Sequence, residues 1–266
     1  MFDRFNRKID YLRISVTDRC NLRCAYCMPE GGVTLIPRSE ILSLEEIYEV
    51  AETAVEMGLD RIRLTGGEPL IRRNIIHLVS MIAGIKGVRD FAMTTNGVLL
   101  QEYAKPLADV GLHRINVSLD TFDPERYRLI TGGGDIRNVL AGIEAALKAG
   151  LDPIKLNCVI QKSYDEPDAR DVARFAERNG LIVRFIRQME LAQGTFWIVQ
   201  GGTGGNCARC NRLRLTSNGM IKPCLFSDLM FSIKELGIPE AIERAVEAKP
   251  ERGMKSVNHE FYNVGG

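Results

Sequence analysis

Histidine is scarce in this chain: only His77, His113 and His259 occur among 266 residues. None follows a nucleophile-like turn, so a Ser–His–Asp set is not suggested. A Gly-x4-Gly-Lys-Ser/Thr loop is also missing, so a nucleotide would not be held by a P-loop. Charge of one sign is not in excess either, with 35 Lys and Arg against 34 Asp and Glu and a formal net charge of +1. That balance gives no global reason to expect nucleic acid or a membrane surface as partner, and arginine clusters must be read one by one. No run of about 18 apolar residues could span a bilayer, and the charged N-terminus lacks signal-peptide character. The expectation is a cytoplasmic protein with neither nucleic acid nor membrane among its partners.

What the chain does have is cysteine in a pattern. Six of its seven cysteines fall into two tight groups. In a cytosolic chain this argues for metal binding or redox chemistry over a disulfide framework. The first group is Cys20-Asn-Leu-Arg-Cys24-Ala-Tyr-Cys27, spaced C-x3-C-x2-C, directly after the strand-like run Tyr11–Val16. Three thiolates can hold three irons of a four-iron cluster and leave the fourth open to a substrate or cofactor, whereas closed electron-transfer clusters take four. Zinc would want a second ligand pair nearby, and none follows. The second group is Cys207-Ala-Arg-Cys210 with Cys224 beyond it. A zinc ribbon completed by the distant His259 is one reading; a second open-site cluster is favoured because the first group already commits the chain to iron–sulfur chemistry. Cys158 reads as a buried apolar residue.

Strand and helix signals alternate from Tyr11 to about Met189. Strand-like runs lie at Tyr11–Val16, Arg61–Thr65, Phe91–Thr94, Arg114–Ser118, Ile154–Ile160 and Ile182–Gln188, with segments of helical period between them. Ser43-Leu-Glu-Glu46 is a capping-box signature opening a helix that runs to Gly58. Asp135 caps another that ends at Gly150, and residues 166–179 before Gly180 repeat the pattern. Such units require right-handed crossovers and a parallel sheet. The fold class expected is α/β: a partial, open (β/α)6 TIM-like barrel over residues 1–189. A small C-terminal extension, 190–266, follows a composition shift. In it Gly201-Gly-Thr-Gly-Gly205 reads as a linker, Arg212–Thr216 and Met220–Cys224 as a hairpin on an Asn-Gly turn, and Pro239–Glu247 as a helix. Active sites gather at the carboxyl ends of parallel strands, where the first cysteine group sits.

Other candidates cluster around these groups. Arg212 and Arg214 lie two apart on one strand, so both side chains leave the same face and suit phosphate oxygens. Gly66 and Gly67 permit close backbone approach to a ligand, and Glu68 adds a carboxylate suited to an amino-acid end. Thr94-Thr-Asn-Gly97 and Ser118-Leu-Asp120 place hydroxyls and amides at the ends of strands three and four, and Lys155 and Arg184 begin strands five and six. For each of these alone a structural role is the plainer reading.

Together these residues resemble the radical S-adenosylmethionine (SAM) superfamily. The C-x3-C-x2-C motif and Gly66-Gly-Glu68 point no further than that. Thr17-Asp-Arg-Cys20-Asn, Cys207-x2-Cys210-Asn-Arg-Leu-Arg-Leu-Thr216 with Cys224, and the terminal Gly265-Gly266 resemble the GTP 3′,8-cyclase family of molybdenum-cofactor biosynthesis. The resemblance implies two 4Fe–4S clusters, on Cys20, Cys24 and Cys27 and on Cys207, Cys210 and Cys224. It implies SAM as cofactor, contacted by Tyr26, Gly66, Gly67, Glu68, Ser118 and Met189. It implies GTP as substrate, contacted by Arg13, Arg63, Thr94, Lys155, Arg184, Arg212 and Arg214. The family cleaves SAM to methionine and a 5′-deoxyadenosyl radical, which takes the ribose C3′ hydrogen before C3′ attacks guanine C8. Gly265 and Gly266 are the tail residues such enzymes need for turnover. An external electron donor and a downstream pterin-forming enzyme are implied as partners, and a homodimer is admitted.

The chain departs from that family in three places. Only seventeen residues separate Met189 from Cys207, where the family has several times more. Arg187-Gln-Met-Glu190 replaces a more acidic run, and the tail lacks the Met and Arg usual before the glycines. Two other readings stand beside the cyclase: a two-cluster paralogue acting on another nucleotide or a peptide, and a non-catalytic iron–sulfur or zinc protein.

Overall fold

The computed structural model describes residues 1–27, 32–257 and 264. Six strands follow the expected rhythm: β1 (Tyr11–Ser15), β2 (Arg61–Thr65), β3 (Asp90–Thr95), β4 (Arg114–Ser118), β5 (Lys155–Ile160) and β6 (Ile182–Arg187). Each pairs in parallel with the next, so the barrel wall is built strand by strand in chain order. The helices that make these crossovers are α1 (Leu44–Glu56), α2 (Ile75–Ala83), α3 (Leu100–Asp109), α4 (Pro124–Thr131), α5 (Ile136–Lys148) and α6 (Pro167–Arg178).

Local chemistry sets their ends. Ser43 and Glu46 form the reciprocal capping box of α1, with Glu46 N donating to Ser43 Oγ at 3.1 Å and Ser43 N to Glu46 Oε2 at 2.7 Å. Asp135 accepts from Arg137 N at 2.9 Å and starts α5. One face of each helix then packs on the sheet: Ile47, Val50, Ala51 and Ala54 of α1 and Val139, Ile143 and Ala146 of α5 are all buried. The core between sheet and helices is one continuous cluster running from Ile9 to Val246.

The C-terminal part joins this wall. A seventh strand, β7 (Arg212–Leu215), pairs in parallel with β1, and β8 (Met220–Lys222) and β9 (Phe231–Ser232) follow antiparallel. The result is one nine-stranded sheet in the order β6-β5-β4-β3-β2-β1-β7-β8-β9. The expected hairpin is present, and its first strand also extends the parallel sheet beyond β1. The short α7 (Ile233–Leu236) and α8 (Ile238–Glu247) complete the order.

The sheet is open at β6. There the segment after Met189 runs as a strap along the edge: Phe185 N donates to Gln200 O at 3.0 Å and Gln200 N to Phe185 O at 3.2 Å. Arg187 lies over the Trp197 ring at 3.9 Å, pinning the strap to the end of β6. The stretch Gly201–Gly205 is thus seated on the barrel edge next to β6. No helix among the described residues is long and apolar enough to cross a membrane.

Candidate active site

The first cysteine group leaves β1 alongside the chain leaving β2. Val16 N donates to Thr65 O at 3.0 Å, Gly67 N to Thr17 O at 2.7 Å and Glu68 N to Arg19 O at 2.8 Å. This close approach requires glycine: a Cβ on Gly67 would stand 2.1 Å from the Arg19 carbonyl oxygen. The Gly66–Gly67 pair therefore seats the cysteine-bearing chain as well as opening on the cavity beside it. The loop then docks on the end of α4, with Arg23 N donating to Thr131 O at 2.8 Å and Ala25 N to Ile130 O at 3.0 Å. Tyr26 Oη donates to Asp120 Oδ2 at 2.7 Å, and Asp120 Oδ1 accepts from Val159 N at 2.8 Å. One carboxylate so fastens the loop to the carboxyl ends of β4 and β5.

Cys20, Cys24 and Cys27 line one cavity together with Tyr26, Gly66 and Gly67. Glu68, Thr94, Ser118 and Met189 complete its wall. Every residue expected to meet SAM is therefore gathered at one place, over the carboxyl ends of the strands. The thiols are free and half-buried. Burial pushes each of them up, Cys24 to about 12 with the charges of Cys20 and Asp120 adding to it. Three such thiols facing one cavity are a donor set for a metal group, whose own charge would hold them as thiolates.

Glu68 is fully buried and does more than present a charge. Its Oε1 accepts from Thr95 Oγ1 at 2.7 Å and Leu70 N at 3.0 Å, and its Oε2 from Asn96 N at 2.7 Å. Burial still pushes its carboxyl up to about 7 against those hydrogen bonds. A carboxylate has about four acceptor positions, so a further donor from a ligand ammonium has room. Asn96 also turns its Nδ2 toward Cys20 Sγ at 3.8 Å and donates to Asn21 Oδ1 at 2.7 Å. Asn96 belongs to the Thr94-Thr-Asn-Gly97 stretch expected to place polar groups at the end of strand three.

Deeper in the barrel the arginines meet. Arg13 is the register partner of Arg63 on β2 and of Arg214 on β7. Register partners on neighbouring strands share a face, so three guanidiniums stand in a row across β2, β1 and β7. Arg63 is 6% exposed and its Nε has no hydrogen-bond partner. Asn116, with its amide oxygen turned inward, accepts from Arg63 Nη1 at 2.8 Å and from Arg184 Nη1 at 3.1 Å. Lys155 is the register partner of Asn116, which brings it to the same group. Burial lowers all of these cations, Arg63 and Arg214 to about 10 and Lys155 to about 8. Arg13 falls well below its ordinary range through burial and then the charge of Arg214. Arg212 Nη2 donates to Thr203 Oγ1 of the strap at 2.6 Å. Thr94 Oγ1 is buried without a partner.

The second cysteine group lies at the far side of β7. Cys207–Arg209 form a short 3-10 turn, closed by Cys210 N donating to Cys207 O at 3.1 Å, and Cys224 follows β8. Cys224, Met189 and Phe196 pack on a small apolar cluster of Leu191, Leu225, Phe226 and Val264. That cluster links the cavity edge at Met189 to the second group. Arg214 Nη1 donates to Val264 O at 3.1 Å. His259, Gly265 and Gly266 lie outside the described residues.

A model of the radical SAM superfamily matches residues 14–176. Among curated proteins the chain is 40% identical to the GTP 3′,8-cyclase of Thermodesulfovibrio yellowstonii, covering 94% of this chain and 95% of that protein. It is 42% identical to the GTP 3′,8-cyclase of Moorella thermoacetica, covering 94% of each. The first alignment runs over 305 positions, more than the 266 residues of this chain, so that relative carries residues this chain lacks. Among solved structures, native anSMEcpe with bound AdoMet superposes with a TM-score of 0.65 at 15% identity, covering 91% of this chain and 81% of that one. That likeness is one of fold.

Proposed function

This chain belongs to the radical SAM superfamily and, within it, to the family of GTP 3′,8-cyclases; from that premise we propose that it converts GTP to 3′,8-cyclo-7,8-dihydro-GTP. The observation that carries the reading is the in-register row Arg63–Arg13–Arg214, a buried polycation in a chain whose net charge is only +1. A triphosphate neutralises such a row through charge-assisted hydrogen bonds, and the planar guanidinium fork suits its oxygens. A peptide substrate gives no comparable reason for it.

Cys20, Cys24 and Cys27 would hold a 4Fe–4S cluster, which when loaded supplies the electron that splits SAM into methionine and a 5′-deoxyadenosyl radical. The chain's own part is orientation. Glu68 would accept the SAM ammonium, which would keep its carboxyl ionised although burial pushes it up to about 7. Tyr26 is fixed by Asp120, and Ser118 and Met189 border the same cavity. Arg13, Arg63 and Arg214 would take the triphosphate, helped by Lys155, Arg184, Arg212 and Thr94, which sets the ribose toward the cavity. Cys207, Cys210 and Cys224 would hold a second cluster against the guanine. An external reductant delivers the electron, and a pterin-forming enzyme takes the product onward. Anaerobic incubation of reconstituted protein with SAM, GTP and a reductant tests the reading. It predicts GTP-dependent 5′-deoxyadenosine and a fluorescent pterin after acid oxidation; absence of both would sink it.

A further inference from the structure

Two buried cations, Arg7 and Lys249, have no place in the site described so far. Lys249 follows α8 and is 1% exposed. Its ammonium donates to Arg212 O and to Pro223 O, both at 2.6 Å. Arg212 comes two residues after Cys210, and Pro223 immediately precedes Cys224. A single side chain thus ties together the two segments that carry those thiols. The ammonium has three N–H donors. Two reach the carbonyls of the thiol-bearing segments.

Arg7 closes the third side. It is 7% exposed, and its Nη1 donates to Cys207 O at 2.8 Å and Glu251 O at 2.9 Å. Its Nη2 donates to Pro250 O at 2.7 Å. Residues 249–251 are therefore clamped to Cys207 by Arg7 and to the Cys210 and Cys224 segments by Lys249. The two cations differ in their counter-charges. Arg7 Nε pairs with Asp3 Oδ2 at 2.6 Å. Among the described residues no carboxylate lies in ion-pair range of Lys249, and its ammonium is bound to the backbone beside Cys210 and Cys224. Burying an ammonium without a counter-ion costs several kcal/mol. Three thiolates around a four-iron core carry net negative charge and would supply that counter-ion.

We propose that Lys249 is the counter-cation and positioning residue of the second cysteine trio, holding Cys210 and Cys224 at cluster spacing and making that cluster easier to reduce. The inference rests on the second-cluster reading. The test uses the full chain carrying Cys24→Ala, so that the second trio is the one loaded, with Lys249 intact, Lys249→Met or Lys249→Arg. Iron per chain and the midpoint potential from an EPR-monitored redox titration are measured. Lys249→Met should lower the potential and cut bound iron at least twofold, and Lys249→Arg should restore the potential. Should Lys249→Met not fold, Lys249→Gln carries the same expectation. Unchanged iron and potential in Lys249→Met would overturn the proposal, as would Lys249→Arg behaving like Lys249→Met. A parent protein that binds no iron at all would remove the second-cluster reading and this inference with it.

Discussion

Arg13 on β1 stands in register with Arg214 on β7, two guanidiniums on one face of a parallel strand pair. Arg63 continues the row on the other side of Arg13. Like charges directly opposite across strands are destabilising, and burial together with Arg214 draws Arg13 well below its ordinary range. On the proposed reading, the triphosphate of GTP is what offsets that repulsion.

Replacing Arg63 with Met should therefore separate stability from binding. The GTP-free protein should keep its melting temperature or gain slightly, since relieving a like-charge neighbour is worth about 0.2–1 kcal/mol. GTP affinity should fall about tenfold or more, as a hydrogen bond to a charged group contributes about 1.5–3 kcal/mol. Thermal melts and calorimetric titration with GTP check both halves.

Lys155 gives a pH dependence of opposite sign for folding and for binding. Burial, then Arg184, Arg114 and Arg63, lower it to about 8. Its pKa is thus depressed on folding, so between about 8 and the unfolded value near 10.4 the unfolded chain binds more protons, and stability rises with pH. Phosphate binding needs the charged form, so GTP affinity should drop as pH rises through about 8. Lys155→Met should flatten the affinity profile over that window in titrations from pH 7 to 9.5.

Much of this arrangement was legible beforehand, and the reasons differ by residue. The Ser43 box, the Asp135 cap and the strand–helix rhythm are local signals, and the six parallel strands follow from them. The cavity around Cys20, Cys24 and Cys27 followed from the rule that strand carboxyl ends gather sites. The pairing of β7 with β1 has no local signal, because Arg212–Leu215 reads as half of a hairpin whichever strand lies on its far side. The row Arg63–Arg13–Arg214 depends on that pairing, so charge counting alone could not assemble it. The roles of Arg7 and Lys249 have no local signal for a similar reason: each acts on a segment distant in sequence.

The strap after Met189 touches two of the arginines proposed to meet GTP. Thr203 Oγ1 accepts from Arg212 Nη2, and Gly202 lies so close to Arg184 that an added Cβ would be 3.4 Å from Nε. Thr203→Val should raise the KM for GTP several-fold through a loosened Arg212, with little change in kcat, since one hydrogen bond to a charged group is removed. Thr203→Ser should behave as the parent in steady-state assays.

Gly67→Ala should act on the other half of the site. The new Cβ would press on the Arg19 carbonyl, 2.1 Å away, and displace the chain just before Cys20. The expected result is loss of about half of the roughly eight irons of a two-cluster chain, together with loss of SAM cleavage. GTP binding should survive. Iron analysis, 5′-deoxyadenosine assays and GTP titration on one preparation distinguish this from general unfolding.

The most direct test of the central claim follows one hydrogen atom. The row Arg63–Arg13–Arg214 is held to set the ribose of GTP toward the cavity where SAM is cleaved. Protein reconstituted anaerobically should be given SAM, reductant and GTP deuterated at C3′, and the 5′-deoxyadenosine weighed by mass spectrometry. A single deuterium in 5′-deoxyadenosine, lost in Arg63→Met at sub-saturating GTP, is the predicted result. Undeuterated 5′-deoxyadenosine, formed at the same rate with or without GTP, would contradict it.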